Sequence, residues 1–200
     1  MSAIVTGGGS NNDSASTTRR NKAGSGGSSL ASIHRPVLAI VGMSVPDVIV
    51  AVGGWSADCS LAGWQVDAYT PDEEEPTVLQ IVGATPRRLD VLLKSRSRPD
   101  GVIAMAVGAE VFHRYPHLWE RVSGWFARQL SALAVWGEPL PLTMIGQLHS
   151  TDRPISNAAA AFKTLALKAL ESDAVATATE SVCSGVIHGV GARRPRARLG

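Results

Sequence analysis

The stretch 98–111, RPDGVIAMAVGAEV, constrains the fold of this chain more than any other part of the sequence. Its centre is a short run of small and branched apolar residues with Pro and Gly on its flanks. Such a run is typical of a strand that is buried on both faces of a parallel sheet. Because α/β proteins place their sites at the carboxyl edge of the sheet, we expect Gly108, Ala109 and Glu110 to lie at the mouth of any pocket.

The rest of the sequence alternates between strand and helix patterns. Residues 47–64 are ambiguous, because the VIVAV run favours a strand while Pro46 and Asp47 favour the start of a helix. We prefer the helix and keep the strand as the alternative. The other predicted strands cover 37–42, 65–70, 78–83 (or the approach to a turn) and 140–148, and the other predicted helices cover 85–98, 115–135 and 157–171. This alternation predicts an α/β fold, a three-layer α/β/α domain with a mainly parallel sheet.

Composition divides the chain into three parts. Residues 1–34 are rich in Gly and Ser and poor in large apolar side chains, so we expect them to be disordered. Residues 35–190 carry the apolar patterns of the α/β domain, and residues 191–200 form a basic tail. No apolar run has the length of a signal peptide or a membrane span. The sequence therefore predicts a cytoplasmic protein without a membrane span.

Charge and cofactor motifs limit the function classes. The formal net charge is +2, but basic residues gather at the two ends and leave the middle net acidic, so we expect no nucleic-acid partner. Neither Gly-x-Gly-x-x-Gly nor a P-loop motif is present, and we predict no cofactor. Cys59 and Cys183 are expected to stay reduced, because disulfides are rare in the cytosol. The sequence leaves the oligomeric state open.

Three short blocks that begin with Gly each follow a predicted strand. They are Gly-Met-Ser at 42–44, Gly-Ala-Thr at 83–85 and Gly-Ala-Glu at 108–110. Their order and spacing, over about residues 36–172, resemble those of the SGNH (GDSL-type) hydrolases. The resemblance implies an SGNH-like α/β fold and acyl-transfer chemistry on a serine.

The resemblance also implies a role for each block. Ser44 would be the nucleophile, Gly83 would offer a backbone N–H to the oxyanion, and Gly108 with Glu110 would complete the oxyanion or substrate site. Glu110 stands where the family has an Asn, and an acidic residue there is similar to the diglucosylglycerate octanoyltransferases, which acylate a sugar-acid acceptor. From the residues alone, Ser44 could equally be a helix cap, and the two Gly residues could be turns at strand ends.

A serine nucleophile needs a histidine that accepts its proton. His188 is the best candidate for this base, and His149, which follows the predicted strand 140–148, is the second. The Asp-x-x-His block of the family is incomplete here, because Gly185 stands where the Asp belongs. The alternative is that His188 is a tail residue and His149 a loop residue, each without a catalytic partner.

Four polar residues near the central strand have a spacing that resembles a metal site. Glu110, His113, His117 and Glu120 would share one face of a continuous helix. Pro116 interrupts such a helix, because its ring removes a backbone donor and clashes with the preceding turn. We therefore predict a polar surface face and no metal ligands.

These observations lead to two functional hypotheses, and whether the chain is an enzyme stays open between them. The first is an SGNH-like serine acyl esterase or acyltransferase, in which Ser44 attacks an acyl ester and the acyl group passes to water or a sugar hydroxyl. Its partner would be a small acyl ester or a carbohydrate. The alternative is a non-catalytic, degenerate α/β domain that acts as a binding or interaction module. The first hypothesis requires the turns at 42, 83 and 108 to meet on one rim.

Overall fold

The computed structural model describes residues 35–71, 76–126 and 132–185. Its strands are β1 (Val37–Val41), β2 (Gln65–Thr70), β3 (Thr85–Arg88), β4 (Val102–Gly108), β5 (Ala132–Trp136), β6 (His149–Pro154) and β7 (Thr179–Gly185). Its helices are α1 (Val45–Leu61), α2 (Pro76–Ile81), α3 (Leu89–Lys94), α4 (Ala109–Arg114), α5 (Pro116–Phe126) and α6 (Asn157–Ala169). The expected segments 1–34 and 191–200 lie outside the described residues, so the domain boundaries stay predictions.

The strands form one seven-stranded sheet in the order β3-β2-β1-β4-β5-β7-β6. Strands β1 to β5 are mutually parallel, whereas β7 runs antiparallel to both β5 and β6. Helices α1, α2 and α6 pack on one face, and helices α3, α4 and α5 pack on the other. The predicted fold class, a three-layer α/β/α domain with a mainly parallel sheet, is confirmed.

The central strand β4 and the ambiguous helix α1 lie where the sequence predicts them. Strand β4 sits between β1 and β5 and is buried at every position except Ile103. Helix α1 begins after Ser44, whose Oγ accepts a hydrogen bond from the backbone N–H of Asp47, and Pro46 occupies its first turn. The preferred helix over the VIVAV segment is therefore confirmed, because capping and Pro placement outweigh the strand preference of branched residues.

Two predictions around residue 83 are wrong. The segment 78–83 is the second half of helix α2 and its end, not a strand, because Pro76 opens a helix and Val78, Leu79 and Val82 turn toward the core. The predicted helix at 85–98 starts late, since residues 85–88 form β3 and α3 begins only at Leu89. An apolar run as short as VLQIV fits a helix or a strand equally well.

The carboxyl-terminal third also departs from the prediction. The helix predicted at 115–135 is correct only in its first part, which is α5. After the undescribed residues 127–131 the chain forms strand β5. The strand predicted at 140–148 is a loop with a short 3-10 turn at Leu142–Met144, and the strand that follows it, β6, is exposed at every position. No helix among the described residues is both long and apolar enough to cross a membrane.

Candidate functional site

The carboxyl ends of β1, β4 and β5 form one edge of the sheet, where Gly42, Gly108 and Trp136 lie side by side. A Cβ on Gly108 would lie 3.3 Å from the Trp136 ring and 3.4 Å from Asp47 Oδ2. The end of β4 is therefore packed directly between the side chains of Asp47 and Trp136. Because β1 and β4 are neighbours, two of the predicted turns, 42–44 and 108–110, lie at the same edge of the sheet.

The third predicted turn lies at the opposite edge of the sheet. Gly83 precedes β3 rather than following a strand, and it ends helix α2 with a φ of +74°. Its N–H donates to the carbonyl of Gln80, and the next N–H donates to Leu79, which is the usual closure of a helix by Gly. Because β3 is parallel to β1 and β4, the amino end of β3 is remote from their carboxyl ends. The expected meeting of all three turns does not occur.

Ser44 is placed at the carboxyl edge, but the structure gives it a capping partner and no histidine. Its Oγ accepts from the N–H of Asp47 at 3.3 Å. His149 opens β6, which is an edge strand, and the strands β4, β5 and β7 lie between it and β1. His188 lies outside the described residues, and its role stays untested. Within the described part of the chain, no histidine forms a hydrogen bond with Ser44.

Asp47 is the group at this edge that sequence reasoning missed. One of its oxygens, Oδ1, accepts a hydrogen bond from Nε1–H of Trp136 at 3.0 Å. Burial raises the pKa of Asp47 above its ordinary value, and the negative charge of Glu110 raises this pKa further. The hydrogen bonds from Trp136 and from the Met43 backbone act in the opposite direction and lower it. Two features of the sequence could have indicated this contact. One is an Asp in the first turn of the helix that follows a buried strand, and the other is a Trp at the end of a second strand.

Glu110 lies exposed in the first turn of α4, near enough for its charge to act on Asp47. The edge therefore carries two carboxylates in different environments, one half-buried and one exposed. The half-buried carboxylate is the one whose pKa is raised.

The four residues whose spacing resembled a metal site do not share a helix. Helix α4 ends at Arg114 and α5 begins at Pro116, so the chain turns between His113 and His117. Nε2 of His113 forms a hydrogen bond with the carbonyl of Pro139 at 2.7 Å. In the part of the chain that the structure describes, no group of three His, Cys, Asp or Glu residues is placed to hold a metal ion.

We expect Trp136→Phe to raise the pKa of Asp47 further above its ordinary value of 3.8, because the hydrogen bond that lowers it is lost. A carbon-detected NMR titration of the Asp47 carboxyl group measures the shift. Trp125→Phe, on α5, is the matched control and should leave this pKa unchanged. An unaltered Asp47 titration in Trp136→Phe would contradict the hydrogen bond.

No family model and no curated protein sequence matches the chain. Among solved structures, it matches the A40926 pseudoaglycone deacetylase Dbv21 with 11% identity and a TM-score of 0.51, over 77% of this chain and 98% of that one. It also matches a triple mutant of a deacetylase of the teicoplanin biosynthetic pathway with 10% identity and a TM-score of 0.50, over 74% of this chain and 97% of that one. At these identities the similarity is one of fold.

The resemblance to the SGNH hydrolases is therefore wrong, since the fold is shared with these deacetylases and the three blocks do not converge. The serine esterase or acyltransferase hypothesis, and with it the similarity to the octanoyltransferases, is overturned as well. The physical reason is that Gly83 closes a helix, whereas the resemblance required it to follow a strand.

Proposed function

We propose that this chain is a hydrolase of the deacetylase type, which removes the acyl group from the nitrogen of an amino sugar or a similar hydroxyl-rich small molecule. The observation that carries the proposal is the pair of carboxylates, Asp47 and Glu110, at the carboxyl edge where the pKa of Asp47 is raised. The shared fold supports the choice of reaction, and the glycopeptides teicoplanin and A40926 in the names of the matched deacetylases suggest the substrate class.

Hydrolysis of an amide needs a base that takes a proton from water and an acid that protonates the leaving nitrogen. Asp47 is the proposed base, because its raised pKa makes it a stronger base than an ordinary carboxylate. Water attacks the acyl carbon while Asp47 takes its proton, and the same proton passes to the nitrogen as the C–N bond breaks. The products are a carboxylic acid and a free amine. Glu110, exposed beside Asp47, would bind the substrate's hydroxyl groups or the emerging ammonium.

We expect Asp47→Asn to lower kcat/KM for deacylation by about 100-fold or more, because an amide cannot take the proton from water. The assay measures free amine released from N-acyl glucosamines with acyl chains of increasing length. Activity of the unaltered chain should fall as the pH drops through the pKa of Asp47, since only the ionised carboxylate is a base.

Asp100→Asn makes the same chemical change at an exposed position near the amino edge, before β4, and should leave kcat/KM unaltered. Saturable binding of the same N-acyl sugars without any release of amine would overturn the proposed hydrolysis. Equal rates for the unaltered chain and Asp47→Asn would instead remove Asp47 from the reaction.

A further inference from the structure

Helix α1 is broken near its middle. Val52 has φ −136° and ψ 17°, outside the helical range, and Gly53 and Gly54 follow it. In a regular helix the N–H of Gly54 would bond to the carbonyl of Val50, four residues earlier. The break therefore divides α1 into a first segment, 45–51, and a second segment, 53–61, whose facing ends need other hydrogen-bond partners.

A buried ion pair between α6 and β7 supplies these partners. Nζ of Lys163 donates to the carbonyl of Val50 and to Oε1 of Glu180, each at 2.7 Å. The carboxylate of Glu180 accepts from the N–H of Gly54 at 2.7 Å and from the N–H of Trp55 at 2.9 Å. The side chains of Lys163 and Glu180 are only 3% and 1% exposed. Two charges are thus placed inside the helix's own hydrogen-bond ladder, which is one of the recognised causes of a kink.

The signs of the two charges suit the two helix ends. The second segment of α1 begins at the Glu180 carboxylate, and a negative charge is stabilising at the amino end of a helix. The first segment ends at the Lys163 ammonium, and a positive charge is stabilising at the carboxyl end. Each charge therefore interacts with one helix end as well as with its partner, so the pair defines the angle between the segments.

The kink leaves no room for a side chain at residue 54. A Cβ on Gly54 would lie 2.6 Å from Cδ1 of Ile155 and 2.9 Å from Oε1 of Glu180. The α1 backbone therefore lies directly against the carboxylate and against Ile155, which connects β6 to the cap of α6. This close approach ties the direction of the first segment to the position of Glu180 on β7.

The first segment carries Asp47, and the partner of Asp47 lies on the strand next to β7. Trp136 ends β5, which pairs with β7 through the Leu133–Val135 and Cys183–Gly185 register. We propose that the Lys163–Glu180 pair positions Asp47, because it fixes the angle at which the first segment of α1 meets β5 and thereby holds Asp47 Oδ1 against the Trp136 indole. The consequence for catalysis rests on the proposed function, whereas the positioning itself does not.

The test is Glu180→Gln, which keeps the size of the side chain and removes its charge. Two NMR signals report on Asp47 without any turnover: the indole N–H resonance of Trp136 and the titration of the Asp47 carboxyl. We expect the indole resonance to move toward that of an unbonded indole. The pKa of Asp47 should move down toward its ordinary value, because burial, the largest cause of its raised pKa, is lost together with the weaker effect of the Trp136 hydrogen bond. If the chain deacylates amino sugars, kcat/KM should fall by about 100-fold, as is typical of a displaced catalytic group.

Leu92→Ala is the control for a loss of stability alone, because Leu92 is buried on α3, on the opposite face of the sheet. Leu92→Ala should lower stability about as much as Glu180→Gln and leave both NMR signals unchanged. Should Glu180→Gln not fold, Gly54→Ala displaces the carboxylate while retaining both charges, and the same two shifts are expected. Loss of stability with both signals unchanged would overturn the proposal and leave the pair a purely structural feature. Absence of deacylation in the unaltered chain would overturn the proposed function but not the positioning.

Discussion

Replacing Lys163 by Met lowers the free energy of unfolding by about 3–5 kcal/mol, the cost typical of a broken buried ion pair. The methionine has nearly the length of the lysine stem, so packing against α1 is largely retained. The loss arises because the Glu180 carboxylate, 1% exposed, is left in the interior without the ammonium 2.7 Å away. The carbonyl of Val50 loses its donor at the same time. Urea denaturation followed by fluorescence measures the change.

Lys168→Met is the matched control, because Lys168 lies on the same helix but is exposed, and its loss should change stability by about 0.5 kcal/mol or less. The double variant Lys163→Met with Glu180→Leu should regain only part of the lost stability. Neither charge is then left alone in the interior, but the carbonyl of Val50 and the N–H groups of Gly54 and Trp55 lose their partners. A cost for Lys163→Met no larger than that for Lys168→Met would mean that water reaches the pair in solution.

The parts of the fold that the sequence predicted are those where burial leaves a pattern. Strand β4 is a run of apolar residues between Pro99 and Gly108, and almost all of it is buried. Strands β6 and β7 could not be found in this way, since the β6 residues HSTDRP are exposed and β7 alternates only partly. Their pairing depends on backbone hydrogen bonds to neighbours that are distant in sequence, and local composition does not record these.

The candidate site was only partly predictable, because the sequence does not reveal which edge of the sheet a glycine turn occupies. Gly108 ends a strand, as expected, whereas Gly83 ends a helix, and both functions favour Gly. Asp47 was interpreted only as a helix-start signal, and its contact with Trp136 joins residues 89 apart in sequence. The charges of Lys163 and Glu180 are typical of surface positions, and nothing local indicates that they meet inside the domain.

Gly83→Ala should lower the free energy of unfolding by about 2–4 kcal/mol, from two separate costs. The first is the φ of +74°, which an L side chain rarely adopts. The second is a clash, since the added Cβ would overlap Cβ and Oγ of Ser60. Ser60 lies near the end of α1, so the helix or the turn must shift to make room. The measurement is again the free energy of unfolding in urea.

Gly63→Ala separates the two costs, because Gly63 closes α1 as Gly83 closes α2. Its φ is +83°, and a Cβ there would meet nothing within 4 Å. Its expected cost is the backbone term alone, about 1–2 kcal/mol, and the excess in Gly83→Ala measures the clash. Adding Ser60→Gly to Gly83→Ala should remove that excess. Equal costs for the two single variants would contradict the close contact between α1 and the α2 turn.

Because Gly83 lies at the amino edge, the Asp47 titration should be the same in Gly83→Ala as in the unaltered chain. A changed titration would mean that Gly83 shapes the site around Asp47.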